Sequence, residues 1–268
     1  MLLSGLHWHA QPWLVALLLA AAALYAFGIA RLWRNAGIGR GIRVSAAVRF
    51  ALGWIALVLA LVSPLDPLGD VLFSAHMVQH ELLMAVAAPL FVLGRPLEAW
   101  AWALPVPALR ALAGVGRMPW LARAWAFVTE PLAAWSLHAL ALWLWHAPIL
   151  FGMALESEAV HIAQHASFLG SALLLWWSVF GRGSRRPDGA SLASLFTTMI
   201  HTGALGALLT FAPHPWYAHY TGAFGLSALE DQQLGGLVMW VPGGVAYLAA
   251  ALAIVGSWLA RDTAPRLR

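Results

Sequence analysis

Seven stretches of almost unbroken apolar sequence limit this chain to one kind of fold. A helix needs about 20 mostly apolar residues to cross roughly 30 Å of hydrocarbon. Residues 13–30, 48–63, 71–93, 129–147, 159–180, 192–211 and 234–259 reach or approach that length. The second stretch is the shortest, and its neighbours can extend it. Of the 268 residues 62% are hydrophobic and only 10% charged, against about a quarter charged in soluble domains. The expected fold is therefore all-α, a polytopic membrane helix bundle with seven transmembrane helices forming a single membrane domain over residues 1–268. The first stretch is too long for a cleavable signal peptide, and no positively charged segment precedes it.

Charge placement orients the bundle. All 15 basic residues are arginine, and neither lysine nor cysteine occurs. The absence of cysteine excludes disulfides, thiolate metal sites, iron–sulfur clusters and thiol catalysis, and the absence of lysine excludes a retinal Schiff base. Arg31, Arg34, Arg40, Arg43 and Arg49 lie between the first and second stretches. Arg95, Arg110, Arg117 and Arg123 lie between the third and fourth, Arg182, Arg185 and Arg186 between the fifth and sixth, and Arg261, Arg266 and Arg268 after the seventh. With seven spans these all fall on one side, so the N-terminus is expected outside and the C-terminus inside. The segment 95–127 tests that count. Its apolar run is interrupted by Glu98, Pro105 and Pro107 and bounded by Arg95 and Arg110, too short to span. Trp100, Trp102, Trp120 and Trp125 suit amphipathic pieces lying in the inner interface. The net charge of +4 thus reflects topology and contact with membrane lipid, not nucleic acid.

Histidine marks the opposite side. Of the 11 histidines, only His138 and His201 fall near mid-membrane; the others lie in the outer half or outside. The third stretch carries His76-Met77-Val78-Gln79-His80 and the fifth His161-Ile162-Ala163-Gln164-His165. Each reads H-x-x-Q-H, placing two imidazoles on one helix face about 40° apart, a spacing at which both can address one metal ion. His146 closes the fourth stretch at its outer end, Glu81 follows the first pair, and His214 and His219 sit in the loop before the seventh. Met77, Met153, Met199 and Met239 can add thioether ligands, which favour Cu(I), while imidazole suits copper, zinc or haem iron. A single intramembrane histidine also serves as interhelical hydrogen-bond glue worth about 1 kcal/mol. Paired spacing at matching depth favours a metal or haem site. Pro89, Pro148 and Pro242 are expected at kinks or span ends. Gly203, Gly206, Gly235, Gly236, Gly243 and Gly244 are expected where the sixth and seventh spans pack closely. No nucleotide loop or nucleophile elbow appears, and the chain reads as a binding protein, not an enzyme.

Residues 73–84, F-S-A-H-M-V-Q-H-E-L-L-M, followed by Ala88-Pro89 and Leu93-Gly94-Arg95-Pro96, resemble the multi-span CtaG-like cytochrome c oxidase assembly factors. Trp145-His146-Ala147-Pro148, the second H-x-x-Q-H, and Asp231-Gln232-Gln233-Leu234-Gly235-Gly236 with Met239-Trp240 and Pro242 fit the same family. The likeness covers roughly residues 50–250, departing at Leu90, where a second proline is expected. It implies a factor of a bacterial-type inner (plasma) membrane that helps mature haem–copper oxidase, with oxidase subunits as partners and copper delivery or insertion as its task. The expected metal ligands are His76, His80, His161 and His165, with His146, Asp231 and Met239 adjacent. Copper is the expected ion, with zinc or haem as alternatives. Three other functions stay open: a haem-binding electron-transfer protein, a copper permease using the same histidines with His138 and His201, and a scaffold holding oxidase subunits.

Overall fold

The computed structural model describes residues 11–181 and 189–262. His7, His9, Arg182, Arg185, Arg186, Arg266 and Arg268 lie outside the described residues. In chain order the helices are α1 (Pro12–Ala36), α2 (Val44–Leu61), α3 (Leu65–Gly69), α4 (Phe73–Glu81), α5 (Ala88–Gly94), α6 (Pro96–Ala103) and α7 (Val106–Gly116). They continue with α8 (Pro119–Val128), α9 (Pro131–Trp145), α10 (Pro148–Glu156), α11 (Glu158–Trp176), α12 (Gly189–Thr210), α13 (Ala228–Val238) and α14 (Gly244–Asp262). Among the described residues there is no strand, only an isolated bridge between Ala223 and Leu226.

Among the described residues five helical stretches are long and apolar enough to cross a bilayer: Pro12–Ala36, Val44–Leu61, Phe73–Gly94, Gly189–Thr210 and Ala228–Ala260. The number rises to six if α8 and α9, which meet at 69°, form one broken span. A polytopic helical bundle is thus present, and the seven expected spans contract at two places. α9 has 15 residues, about 22 Å of helix, too short for the expected fourth span on its own. α11 has 19 residues, long enough for the fifth, but His161, Gln164 and His165 dilute its apolar content. Residues 96–128, expected not to span, form three helices of 8, 11 and 10 residues. No side chain of α7 or α8 is buried.

Among the described residues two π-turns interrupt long helices, at Leu82–Ala87 and Met239–Gly243, and a third, Trp177–Gly181, follows α11. Two coincide with prolines. A proline ring collides with the carbonyl four residues back and removes a donor; the wider π geometry relieves both. Pro89 follows the first π-turn directly and Pro242 lies inside Met239–Gly243, so both are accommodated within a continuing helix. Pro148 instead opens the separate helix α10.

Glycines then set how closely the helices approach. A Cβ on Gly206 would lie 2.7 Å from the Gly236 carbonyl oxygen, and one on Gly236 would lie 2.6 Å from that of Gly206. The backbones of α12 and α13 therefore touch. A Cβ on Gly235 would run into the Phe73 ring, and one on Gly243 would lie 2.8 Å from Glu81 Oε2. Gly203 faces Trp240 more loosely at 3.3 Å, and Gly244 has ordinary space. Four of the six expected positions are thus the close approaches.

The start of α4 is closed from far along the chain. Its N-cap position is Leu72, which has no side-chain acceptor. Asp231, fully buried on α13, supplies one instead. Its Oδ2 accepts from the Phe73 amide at 2.6 Å, and its Oδ1 from the Ser74 amide at 3.0 Å and the Ser74 hydroxyl at 2.5 Å. The first donors of a helix otherwise lack partners, and the helix's positive end favours a carboxylate there. α13 is itself started by a capping box between Ser227 and Glu230.

Two predictions follow from this packing. Asp231→Ala leaves three buried donors without their acceptor and is expected to cost about 3 kcal/mol, read as a lowered midpoint in thermal unfolding of the detergent-solubilised protein; Asp231→Asn should cost less. Gly236→Ala is expected to destabilise by about 1–3 kcal/mol. Gly152→Ala, where a Cβ meets nothing within 4 Å, should be neutral or slightly stabilising.

Candidate metal centre

Two helices bring the paired histidines together. With α4 started by Asp231, His76 and His80 fall on successive turns of one face, and their rings lie 4.4 Å apart between centroids. α11 carries His161 and His165 on successive turns, 4.2 Å apart. The two pairs meet: His76 lies 5.3 Å from His161 and 5.7 Å from His165, and His80 lies 5.3 Å from His165. His146, at the C-terminal end of α9, completes the group 5.8 Å from His80. His76, His161 and His165 can each offer one nitrogen such that all three lie within 4.8 Å of one another.

Several ring nitrogens here make no hydrogen bond of good geometry, although Gln164 and the Gly69 backbone lie beside His76, and outside the group both nitrogens of His201 are also without one. Both ring nitrogens of His76 and of His80, and Nε2 of His146, His161 and His165, are buried without a hydrogen-bond partner. Each such group costs about 1–3 kcal/mol if left unsatisfied, a cost that a shared cation removes. His146 is further prepared. Its Nδ1 lies 2.7 Å from the Leu142 carbonyl oxygen, which can only accept, so Nδ1 carries the proton and Nε2 keeps its lone pair. Backbone or carboxylate partners of this kind fix the tautomer and orientation of metal-binding histidines.

Aromatic rings close the site. Phe151 lies 5.1 Å from His76, and Phe168 lies 4.5 Å from His80. Tyr217 and Tyr220, in the loop before α13, pack on Phe73 at 4.8 and 5.7 Å. Their hydroxyls donate to the carbonyls of His146 and Gly69, both at 2.9 Å. Burial pushes the titration of both tyrosines upward, so they act as neutral donors that tie the loop over the histidines. Asp66 and Asp70 lie close enough to exert their field on His161.

The two motif glutamines behave differently. Gln79 Nε2 donates to the Ala60 carbonyl at 2.9 Å and to Asp66 Oδ1 at 3.1 Å, tying α4 to the end of α2 and to α3. Gln164 is fully buried beside His76, and its amide makes no hydrogen bond of good geometry.

The structure thus gathers His76, His80, His146, His161 and His165. Asp231 stands at the helix start, with both oxygens taken by backbone and hydroxyl donors, and acts by positioning the first pair. Met239 is buried in the apolar core on the π-turn Met239–Gly243, and Met77 is buried there too, against Gly235. Met199 packs half-buried against the same core, and Met153 is largely uncovered. His138 lies elsewhere, with Nδ1 3.0 Å from the Ser171 hydroxyl and Nε2 3.4 Å from the Tyr247 hydroxyl, as interhelical glue. His201 packs on Trp135, and His214 and His219 are exposed. Phe151, Phe168, Tyr217 and Tyr220 were not foreseen, since aromatic residues in an apolar chain carry no spacing signal.

Comparison with known proteins places this geometry. Uncharacterized proteins of Mycobacterium bovis and Mycobacterium tuberculosis are each 28% identical to it over 89% of the chain. One of Mycobacterium leprae is 26% identical over 82%. The chain spans only 35–37% of the length of these relatives. No solved structure matches it significantly. The family model described as cytochrome c oxidase caa3 assembly factor matches residues 23–261, from within α1 to the end of α14. The chain belongs to the cytochrome c oxidase caa3 assembly factor family.

Proposed function

We propose that this protein binds copper at the histidine cluster as cargo and passes it on during maturation of cytochrome c oxidase. The observation that carries this reading is the convergence of unpartnered imidazole nitrogens from His76, His161 and His165, with His80 and His146 adjoining. Neutral imidazoles bind a copper ion without thiolate, and a site of this kind releases it to a stronger acceptor. His76, His161 and His165 hold the ion. His80 and His146 offer further nitrogens along the cluster, so the ion has neighbouring positions to occupy on arrival and departure. Asp231 keeps α4 in register, Gln79 fixes its far face, and the tyrosine-tied loop excludes water. The family description supports copper over zinc, because haem–copper oxidase needs the former. Imidazole rings packed 4.2–5.8 Å apart favour a single ion over a haem macrocycle.

In the orientation that fits this role, the arginines face the cytoplasm of a bacterial-type plasma membrane and the histidine cluster lies towards the outer side. Oxidase subunits reach the cluster from that side.

Metal analysis of the protein purified from its own membranes should find copper, with no Soret band. His76→Ala, His161→Ala and His165→Ala should each reduce bound copper at least about tenfold, corresponding to the loss of one ligand. His138→Ala should retain it. Full copper in all three single variants overturns the assignment. Sidedness is read separately, since the chain has no cysteine. A cysteine at His219 should react with an impermeant thiol reagent in intact spheroplasts, and one at Arg40 only after lysis; the reverse pattern inverts the orientation.

A further inference from the structure

Two cavities, neither of them part of the histidine cluster's aromatic cover, lie along α1. One, of about 290 Å³, runs between α1, α2 and α11. Its polar groups are Gln11, Asp66, Glu158, His161 and His165. His165 is 7% exposed, and its Nε2 has no partner. The side chain of Gln11 donates to Glu158 Oε1, spanning α1 and α11 at this end. The other, of about 530 Å³, adjoins it, and Leu17, Leu18, Leu57 and Leu169 line both. The wall of the larger one is wholly apolar, with the rings of Phe50, Trp54, Phe91, Trp100, Trp125 and Trp177. The indole N–H groups of Trp54 and Trp100 point away into α1, donating to the carbonyls of Leu18 and Ala21 at 3.1 and 3.0 Å. No polar group is offered to an occupant there.

We infer that the two adjoining cavities together bind a neutral amphiphile, a long hydrocarbon chain with a hydrogen-bonding head. Three observations select that occupant. The polarity runs in one direction, from five polar side chains at the histidine end to none at the tryptophan end, as the ligand's own polarity does. Leu17, Leu97 and Trp125 line the larger cavity yet remain 61%, 52% and 46% exposed. It therefore opens sideways between apolar helices, where only a membrane-dissolved ligand arrives. Asp66 and Glu158 at the head end disfavour an anionic headgroup by like charge, while Gln11 and the imidazoles supply hydrogen-bonding partners. The combined volume lies in the range of about 300–1,000 Å³ typical of small-molecule sites. The head end shares His161 and His165 with the proposed copper site, so binding is read on metal-free protein, where its failure is distinct from a failure of the copper reading.

A single-chain quinone and a monoacylglycerol share this chemistry. Native mass spectrometry of the full chain, released from detergent, should show saturable one-to-one binding of monooleoylglycerol or of a decyl-chain benzoquinone. An oleoyl phosphate of similar chain length should bind at least about tenfold more weakly, a ratio set by charge at the head. Gly170, on α11, lines the larger cavity, and a Cβ there meets nothing within 4 Å. Gly170→Phe should therefore extend a ring into the cavity, lowering binding of both neutral probes at least about tenfold while leaving copper stoichiometry unchanged. Gly170→Leu should have a smaller effect of the same sign. Organic extraction of protein from its own membranes separates the natural sources, a quinone by its near-ultraviolet absorbance and an acylglycerol by its lack of it. Absence of saturable binding in the wild type overturns the proposal, as does equal binding in a folded Gly170→Phe variant or equal affinity for the anionic probe.

Discussion

The carboxylate of Asp231 at the first turn of α4 is the interaction on which the rest of the site depends. A membrane helix that begins inside a bundle must still satisfy its first amides, and Leu72 has no side-chain acceptor to do so. The acceptor comes instead from α13, 158 residues along the chain. That bond fixes the rotation and depth of α4, and with them His76 and His80. It works only because α13 itself lies close. Gly235 lets the Phe73 ring approach, and Gly236 lets α12 press against the other side. The glycines, the buried aspartate and the first histidine pair are one mechanical unit, although about 150 residues separate the histidine pair from the others.

The bundle carries its polar groups at a visible cost, and it distributes that cost unevenly. His138 has its ring nitrogens beside two hydroxyls, the arrangement expected of a histidine whose task is to hold helices together. The clustered histidines have almost none of this. Apart from the Leu142 carbonyl beside His146, their buried nitrogens are left open in a region packed with Phe151 and Phe168. A protein that needed these imidazoles only for packing would have served itself better with apolar side chains. Their presence together, in a helix whose apolar content they lower, is what the proposed site accounts for.

Much of this was legible in the sequence, for local reasons. The H-x-x-Q-H spacing depends only on the helical period, so each pair's common face could be read directly, and the long apolar runs gave the helices. What could not be read depends on distant contacts. Asp231 travelled with the ligand set by resemblance, and only its place beside the α4 amides shows that its oxygens are already used. Gln79 and Gln164 occupy the same motif position, yet one is tied to α2 and α3 while the other makes no hydrogen bond of good geometry. The fourth span looked long enough as a run of composition, but the bend between α8 and α9 leaves 15 helical residues. The π-turns were hidden because widening one turn leaves the apolar pattern intact.

These features place opposite demands on α4 and α11. The site requires them close, so that rings on two helices come within 4.2–5.8 Å of one another. The cavity along α1 requires α11 to stand away from α1 at the same level, since Leu169 and Gly170 line it. α11 satisfies both because the two faces adjoin: His161 and His165 reach α4 and also border the polar end of the cavity, and the small side chains Ala166 and Gly170 leave room along the side towards α1. The wall is then completed by tryptophans whose N–H groups are spent on α1 carbonyls, which holds α1 at a distance without filling the space between. The cavity is therefore built with the same hydrogen-bond economy as the rest of the bundle, and its emptiness of polar partners is a property of the design of that wall.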